Sequence, residues 1–481
     1  MIVQQFFVTG ISHSSYLLGG TKNCAIVDPQ RDIQVYLDAA AALEMNITHI
    51  LETHLHADFI SGHLDLAKRT GATIYAPKSA DCRFDHLSVS EGDTIEIDHV
   101  VLRVLEVPGH TPEHIAYVAT DSSRGEEPVG VFCGDTLFVG DVGRPDLFPD
   151  LAPELASQLF DSLHHKLMSL PDHCEVYPAH GAGSLCGRAM GAKRTSTIGY
   201  ERKYNSTLQI TDRDEFVRSL TLDMPPAPDH FARCSDINRV GPELVENIPP
   251  PGALTAALFH QKLKDLKPVI LDIRNYAAFS GHYIPGAVHN DLNGNFATFA
   301  GWILPPDRDI LIVSDSPEEV EEATRWLQKV GLDRVTGYLD GGMVSWVKEG
   351  LLTEHIGLFS AEEFHRIISG NEKMTLVDVR AETEYGNYHI KGSVNIPAPD
   401  LRDHHKRLVP DVPVYLICST GNRSSLGASI LKQKGFKHVN NVAGGMTGYS
   451  TAGHAPECMV CFIPHGPRFT GNKVQSGQDS N

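Results

Sequence analysis

The stretch Thr53-His54-Leu55-His56-Ala57-Asp58-Phe59 decides the fold of the first half of the chain. Apolar residues at Ile47, Ile50 and Leu51 precede it, so the pattern predicts a buried strand that ends in a polar turn. Two imidazoles and a carboxylate at alternating positions leave the strand end together and can converge on one ion. Histidine nitrogens and carboxylate oxygens are suitable ligands for Zn, Fe or Mn. The stretch therefore predicts a metal site at a strand end.

Length, charge and cysteine use limit the classes of protein that fit. The 481 residues predict about three domains at ~150 residues each. The net charge of −19 argues against nucleic acid and anionic membranes as partners. No run of ~18 apolar residues could span a bilayer, and the start, Met1 to Phe7, lacks the features of a signal peptide. We therefore expect a cytoplasmic protein whose nine cysteines are thiols rather than a disulfide framework.

Three further motifs place polar side chains where a predicted strand gives way to a loop. They are Gly109-His110-Thr111, Gly134-Asp135-Thr136 and Ala179-His180-Gly181. Apolar residues precede each motif, and glycine or proline marks each turn. Ligands on the rims of packed strands are held rigidly, as a preorganised site requires.

The four motifs in this order resemble those of the metallo-β-lactamase superfamily, over roughly residues 1 to 240. The resemblance implies an αββα sandwich with the metal at one edge of two sheets. The superfamily's binuclear hydrolases, which resemble glyoxalase II, carry a second-metal histidine directly after the motif aspartate. Phe59 stands there in this chain, and an aromatic ring cannot ligate a metal. The sequence is therefore more similar to the persulfide dioxygenases, which work with one ion, and Gly143-Arg144-Pro145-Asp146 is also similar to them.

That resemblance implies Fe(II), one per chain, held by His54, His110 and Asp135, with Zn as the alternative. Two histidines and one carboxylate leave positions open for substrate and O2, as in a non-haem iron oxygenase.

The remaining polar residues of these motifs receive supporting roles from the same resemblance. The side chains of His56, Asp58 and His180 would orient ligands or substrate by hydrogen bonds, and the rival interpretation makes them zinc ligands. Arg144 could hold a substrate carboxylate or phosphate. Cys186 could receive or relay sulfur near the metal.

A proline-rich segment from about 222 to 252 predicts a semi-rigid connector and a domain boundary near residue 250. Beyond it the sequence repeats itself. Asp272-Ile-Arg274 returns as Asp378-Val-Arg380, and Ile284-Pro-Gly286 returns as Ile390-Lys-Gly392. One set of strands and helices per copy indicates tandem domains, each with a parallel sheet covered by helices.

The two copies differ where chemistry would occur. In the second, a buried strand ends at Cys418, and the loop up to Arg423 opens a helix. Backbone N–H groups around such a loop favour an anion and lower the pKa of the cysteine. In the first copy Ser314 stands at the cysteine position and acidic residues follow, so the loop lacks a thiol and would repel anions.

These copies resemble rhodanese domains, the second active and the first degenerate. The resemblance implies that Cys418 carries a persulfide, with Arg423 as its catalytic partner. Four residues separate Cys418 from Arg423, whereas the dual-specificity phosphatases with this fold have five, and the smaller loop suits sulfur better than phosphate. The substrate-binding loop residues are Ser419, Thr420, Gly421 and Asn422.

We therefore expect an α/β and α+β multidomain protein that resembles fused persulfide dioxygenase–sulfurtransferases. The expected limits are a metal domain with its connector at 1–245, a degenerate rhodanese domain at 252–352, an active one at 353–455 and a flexible tail at 456–481. The tail contains the pair Cys458 and Cys461, which is weak evidence for zinc or disulfide exchange. The expected small molecules are a low-molecular-weight persulfide, O2, sulfite and thiosulfate, and a homo-oligomer stays open.

Two other hypotheses remain. A binuclear zinc thioester hydrolase fused to a sulfurtransferase would hold two metals and act without O2. Alternatively, the degenerate copy could serve as a scaffold without catalysis, which is compatible with either enzyme.

Overall fold

The computed structural model describes residues 1–188, 190–222, 224, 226–370 and 373–454. The expected tail, with Cys458 and Cys461, lies outside the described residues. The chain forms two compact units: residues 1–273 with 292–351, and residues 274–291 with the described residues from 352. None of the helices in the described ranges is long and apolar enough to cross a membrane.

Two six-stranded sheets form the metal-site part of the first unit. In the first sheet the strands lie in sequence order, antiparallel up to β3 and parallel from β3 to β6. Its strands are β1 (Ile2–Val8), β2 (His13–Gly19), β3 (Asn23–Val27), β4 (Asn46–Leu51), β5 (Thr73–Pro77) and β6 (Leu87–Val89).

The second sheet has the order β14-β13-β10-β9-β8-β7, and β11 pairs with β12 alone. Only β10 and β13 pair in parallel in this sheet. The strands are β7 (Thr94–Ile97), β8 (Val100–Glu106), β9 (Ile115–Asp121), β10 (Pro128–Gly134), β11 (Leu137–Phe138), β12 (Asp141–Val142), β13 (Glu175–Pro178) and β14 (Ser196–Thr197).

Helices cover both outer faces, which gives the expected αββα layers. Tyr16 and Phe132 belong to the core between the sheets, while Tyr36 and Leu159 belong to cores under the outer helices. Strands in such sheets bury apolar side chains on both faces, which explains their continuous apolar runs. The helices are α1 (Gln34–Ala42), α2 (His63–Thr70), α3 (Ala152–Asp161), α4 (Ile198–Tyr204), α5 (Arg213–Thr221) and α6 (His230–Val240).

Helix α6 lies inside the segment that was predicted as a connector. No proline lies between Pro228 and Pro242, so the stretch between them can form a regular helix. The helix buries Phe231, Cys234 and Asn238. The segment therefore contributes to the packing of the first unit.

The first repeat copy contains parallel strands, as predicted. Strands β15, β19, β18 and β16 pair in that order, all in parallel. The elements are β15 (Gly252–Leu254), α7 (Ala256–Leu266), β16 (Val269–Asp272), α8 (Tyr276–Gly281), β17 (Val288–His289), α9 (Phe296–Ile303), β18 (Ile310–Val313), α10 (Pro317–Lys329), β19 (Val335–Leu339) and α11 (Gly342–Lys348).

The second copy has a five-stranded parallel sheet of order β20-β24-β23-β21-β22. Its elements are β20 (Gly357–Phe359), α12 (Ala361–Ser369), β21 (Thr375–Asp378), α13 (Glu382–Asn387), β22 (Val394–Asn395), α14 (Leu401–His404), β23 (Val414–Ile417), α15 (Asn422–Gln433), β24 (Val439–Val442) and α16 (Gly445–Thr451).

Within the first unit, the end of helix α10 packs directly on the metal domain. Ile60 N–H donates to the Lys329 carbonyl at 2.7 Å, and Arg233 donates to the Val330 carbonyl at 2.9 Å. The Arg31 guanidinium pairs with Asp333 at 2.7 Å. The first copy is thus joined to the segment that follows the His54–Phe59 stretch.

Candidate metal centre and sulfur-transfer loop

The structure brings together His54, His110 and Asp135 from the ends of three strands. One ligand atom from each lies within 4.8 Å of the others. His110 Nε2 is 3.3 Å from Asp135 Oδ2, and His54 Nε2 is 3.9 Å from the same oxygen. All three side chains are buried.

These three residues fit a metal ion. His54 Nε2, His110 Nε2 and Asp135 Oδ2 are buried and have no hydrogen-bond partner in the described part of the chain. Such unpaired buried polar atoms are costly, and a bound cation would relieve that cost. Burial lowers the pKa of His54, and it also lowers the pKa of His110 although Asp135 acts in the opposite direction; both shifts favour the neutral ring that ligates a metal. Burial opposes ionisation of Asp135, but His180 and His110 outweigh it and hold its pKa below the usual range. Two nitrogens and one carboxylate suit iron and zinc alike.

Neighbouring groups fix the orientation of each of the three. His110 Nδ1 donates to the Arg144 carbonyl at 2.8 Å, and His54 Nδ1 lies 2.9 Å from the Thr53 hydroxyl. The Asp135 N–H donates to His114 Nε2 at 2.9 Å. Such partners set the tautomer and direction of metal ligands.

His56 faces a different set of groups. Its Nε2 lies 3.2 Å from Asp28 Oδ1, and its ligand atoms cluster with those of Asp28 and Glu52. Burial works against the charged ring, but Asp28 and Glu52 outweigh it and raise the pKa of His56. The same Asp28 carboxylate accepts the Thr53 N–H at 2.8 Å, so it holds the start of the motif.

Asp58, His180 and Cys186 form a third buried cluster. His180 lies between two carboxylates, with Nε2 2.8 Å from Asp58 and Nδ1 2.7 Å from Asp135. Burial by itself would lower the pKa of His180, but Asp135 and Asp58 outweigh burial, so the pKa lies well above its ordinary value. The cluster also contains enough donor atoms for a second cation, so its geometry is compatible with the binuclear alternative. Burial raises the pKa of the Cys186 thiol to about 12, which makes it a poor nucleophile at neutral pH.

Phe59 supplies an apolar wall beside these clusters. Its ring is fully buried and its centroid lies 4.4 Å from that of His56 and 4.0 Å from that of His13. His13 itself is buried with both ring nitrogens unpartnered.

Arg144 lies in a buried ion pair rather than in an open loop. Its Nε and Nη2 donate to the two carboxylate oxygens of Asp146, each at 2.7 Å, and Nη1 donates to the Leu185 carbonyl at 3.1 Å. The guanidinium holds the loop that positions His110, and its role in substrate binding stays a prediction.

Sequence reasoning missed three residues of this centre. His13 lies against Phe59, and the ring of His114 stacks on His54 with centroids 4.5 Å apart. Asn238 of helix α6 donates to the carbonyls of His56 and Phe59, both at 2.8 Å. His114 lies four residues after His110, a signal that could have been used, whereas nothing in the sequence indicates Asn238.

The predicted sulfur-transfer loop forms between β23 and α15. Cys418 is 1% exposed. The Gly421 N–H donates to its Sγ at 3.0 Å and the Ser424 hydroxyl donates at 3.3 Å. Gly421 has φ +109°, which lets the loop turn into the helix. The helix N-terminus and these donors stabilise negative charge on sulfur.

Arg423 is held beside this loop by Glu384. Arg423 donates to both Glu384 oxygens at 2.5 and 2.8 Å, and the Ser419 hydroxyl donates to the same carboxylate at 3.1 Å. Burial would raise the pKa of Glu384, but Arg423 lowers it to about 2. The guanidinium is therefore a partly neutralised cation in a fixed position.

Tyr276, in the same unit as this loop, lies over Gly421. A Cβ on Gly421 would lie 3.0 Å from the Tyr276 ring. The Gly444 N–H donates to its hydroxyl at 3.4 Å. No sequence pattern indicated this contact, because the ring comes from the first repeat copy.

The corresponding loop of the first copy holds a side-chain carboxylate, that of Glu319. The Ser314 hydroxyl donates to Glu319 Oε2 at 2.6 Å, and the Asp315 N–H donates to the same oxygen at 3.2 Å. Counted from Ser314 without gaps, Glu319 stands where Arg423 stands in the second copy. A carboxylate in this position opposes anion binding.

Two family models match the chain. The metallo-beta-lactamase superfamily matches residues 8–180, and the rhodanese-like domain matches residues 255–349 and 360–452. The matched regions contain the three-donor centre and the Cys418 loop, respectively.

Relatives of the metal domain include enzymes of two kinds. Hydroxyacylglutathione hydrolase of Pseudomonas aeruginosa (strain LESB58) is 28% identical over 219 residues, 45% of this chain and 79% of the relative. Mitochondrial persulfide dioxygenase ETHE1 of Mus musculus is 28% identical over 234 residues, 47% of this chain and 83% of the relative.

The chain is also similar to a metallo-beta-lactamase from Staphylococcus aureus subsp. aureus COL. That crystal structure has 34% sequence identity and a TM-score of 0.64, and the match covers 70% of this chain and 98% of that one. The αββα layers, the two parallel-sheet copies and the two family matches together confirm the predicted fold. The chain belongs to the metallo-β-lactamase superfamily and continues into two rhodanese-like domains.

Proposed function

We propose that the chain couples the iron-dependent oxidation of a low-molecular-weight persulfide to sulfur transfer through Cys418. The observation that carries the proposal is the three-donor set His54, His110 and Asp135, from which His56 is turned away toward Asp28. The similarity to a persulfide dioxygenase from Mus musculus supports the same reaction class. We further propose action in the cytoplasm and the domain limits 1–245, 252–352 and 353–455.

In the metal domain, His54, His110 and Asp135 would hold one Fe(II), which supplies a site for activating O2 and the persulfide. The overall reaction is RSS⁻ + O2 + H2O → RSH + SO3²⁻ + H⁺. His180 lies between Asp58 and Asp135, which favour its protonated form, so it could hold a proton at this centre. Phe59 excludes water from that side of the centre.

In the second rhodanese domain, the Cys418 thiolate would take a sulfane sulfur from a donor and become a persulfide. The N–H of Gly421 and the hydroxyl of Ser424 already donate to this sulfur and would stabilise the terminal sulfur charge. Sulfite then attacks the terminal sulfur, the S–S bond breaks toward Cys418, and thiosulfate leaves. Charge balances, because Cys–SS⁻ and SO3²⁻ become Cys–S⁻ and S2O3²⁻. The reverse reaction would use thiosulfate to supply persulfide.

The alternative is a binuclear zinc thioester hydrolase joined to the same sulfurtransferase. The similarity to hydroxyacylglutathione hydrolases favours it, as does the second donor cluster Asp58, His180 and Cys186. Phe59 counts against it, because it removes a ligand from the second site.

Oxygen uptake and metal analysis on one preparation separate the two reactions. We expect about one iron per chain, and oxygen consumption with sulfite release when glutathione, coenzyme A or cysteine persulfide is supplied. Two zinc ions per chain with thioester hydrolysis in the absence of O2 would replace the proposal with the alternative.

A further inference from the structure

A cavity of about 460 Å³ lies in the first unit, between the metal domain and helix α10 of the first rhodanese-like domain. Its volume falls in the range of small-molecule sites, roughly 300–1,000 Å³. None of the groups that hold the predicted metal lines it. The lining residues that matter for its chemistry are Arg31, Asp65, Lys68, Arg69, Arg325 and Lys329.

Positive charge predominates in the cavity of a chain whose net charge is −19. Five cationic side chains line it, against the carboxylates of Asp32, Asp65 and Glu246. Lys68, Arg69 and Arg325 are exposed and form no ion pair with any described residue. These three exposed cationic side chains line the cavity and can contact an anion there.

Two of the cationic side chains that line the cavity, Arg31 and Lys329, are buried. Arg31 is 4% exposed, and its Nε has no hydrogen-bond partner among the described residues, although its other nitrogens pair with Asp333 and two carbonyls. Lys329 is 6% exposed and donates to Gln30 at 2.6 Å; Asp32 lines the same cavity, but no carboxylate among the described residues lies within ion-pair distance of the Lys329 ammonium. A buried cation that lacks a counter-charge is costly to retain unless a ligand supplies one.

One buried acceptor also lacks a partner. Asp65 Oδ1 accepts the Val245 N–H at 2.9 Å, but its Oδ2 is buried and has no hydrogen-bond partner in the ranges that the structure describes. Inorganic phosphate would leave this oxygen unsatisfied and repelled. A ligand that also carries hydroxyl or amino donors would satisfy it.

We propose that this cavity binds a nucleoside phosphate, with its phosphates among Lys68, Arg325 and the buried cations and its hydroxyl or amino donors toward Asp65. The inference does not depend on the proposed reactions. The cavity lies next to the segment that follows the His54–Phe59 stretch, because Lys329 lines the cavity and its carbonyl accepts the Ile60 N–H.

Isothermal titration of the full, metal-loaded chain with ADP, pyrophosphate and adenosine tests the proposal. We expect ADP to bind more tightly than either part alone. Charge reversal at two exposed rim residues, Lys68→Glu with Arg325→Glu, should weaken ADP binding at least about tenfold, the effect of ~1.4 kcal/mol. Lys264→Glu, an exposed helical control outside the cavity, should leave it unchanged.

Each contrary result overturns a defined part of the proposal. If wild-type protein fails to bind ADP, there is no such site. If the double variant binds ADP as tightly as wild type, the site lies elsewhere. If pyrophosphate binds as tightly as ADP, the ligand is a simple anion and the nucleoside assignment is wrong. A thermal unfolding curve that matches wild type establishes that the double variant is folded.

Discussion

The Nε2 atom of His56 lies 3.2 Å from Asp28 Oδ1 and belongs to a cluster separate from His54, His110 and Asp135. We therefore expect His56→Ala to retain most of the bound metal, whereas His110→Ala should lose it because one of three donors is removed. Metal analysis of the two purified variants gives the comparison. If both variants lose metal equally, His56 is itself a ligand and the zinc-hydrolase arrangement gains support.

Cys418 and the metal donors lie in different structural units. We expect Cys418→Ser to abolish sulfur transfer, because a hydroxyl does not form a persulfide, while oxygen uptake with a persulfide substrate stays within about twofold of wild type. Cyanide-based thiocyanate formation and an oxygen electrode measure the two activities. Ser425→Ala, on the same helix, is the matched control for packing. If Cys418→Ser also stops oxygen uptake, the two centres do not work independently.

The sequence was sufficient to predict that His54, His110 and Asp135 lie together, but not to predict the residues that hold them in place. His54 follows strand β4 of the first sheet, whereas His110 and Asp135 follow β8 and β10 of the second, and these strand ends meet at one edge of the two sheets. Asn238 could not be predicted, because it lies about 180 residues from its partners and the proline-rich ends of its segment indicated a connector. The Tyr276 contact likewise depends on packing between separate parts of the sequence.

Asn238 should contribute strongly to the stability of the metal domain. It is 2% exposed, donates to the carbonyls of His56 and Phe59, and accepts the Ser61 N–H at 2.9 Å. At ~1 kcal/mol per lost bond, Asn238→Ala should destabilise the domain by about 2–3 kcal/mol. The first transition in urea unfolding, followed by fluorescence, measures this change.

Asn247→Ala is the control for that measurement, because Asn247 is exposed and bonds only locally to Glu243. We expect it to shift the transition by less than about 0.5 kcal/mol. An equally small effect of Asn238→Ala would show that the loop keeps its conformation without this side chain.

The ion pair between Glu384 and Arg423 makes the sulfur-transfer loop sensitive to acid. Arg423 lowers the pKa of Glu384 from 4.5 to about 2. Because the pKa is lower in the folded state, the pair's contribution to stability is complete above about pH 4.5 and is lost as pH falls toward 2. Thermal unfolding of wild type and Glu384→Gln between pH 7 and pH 3 should converge on acidification. A constant difference across that range would rule out this linkage.

Tyr276 should affect sulfur transfer although it belongs to the repeat copy that lacks a cysteine at the loop. Its ring covers Gly421, whose N–H donates to Cys418 Sγ. Tyr276→Ala would admit water to this donor, and loss of ~1 kcal/mol of stabilisation should lower kcat/KM for thiosulfate about fivefold. Tyr276→Phe keeps the ring and removes only the acceptor of a long 3.4 Å bond, so it should remain near wild type. Steady-state sulfur transfer to cyanide distinguishes the two variants. Equal kinetics for Tyr276→Ala and wild type would mean that the ring merely packs on the loop, whereas a matching loss in Tyr276→Phe would transfer the role to its hydroxyl.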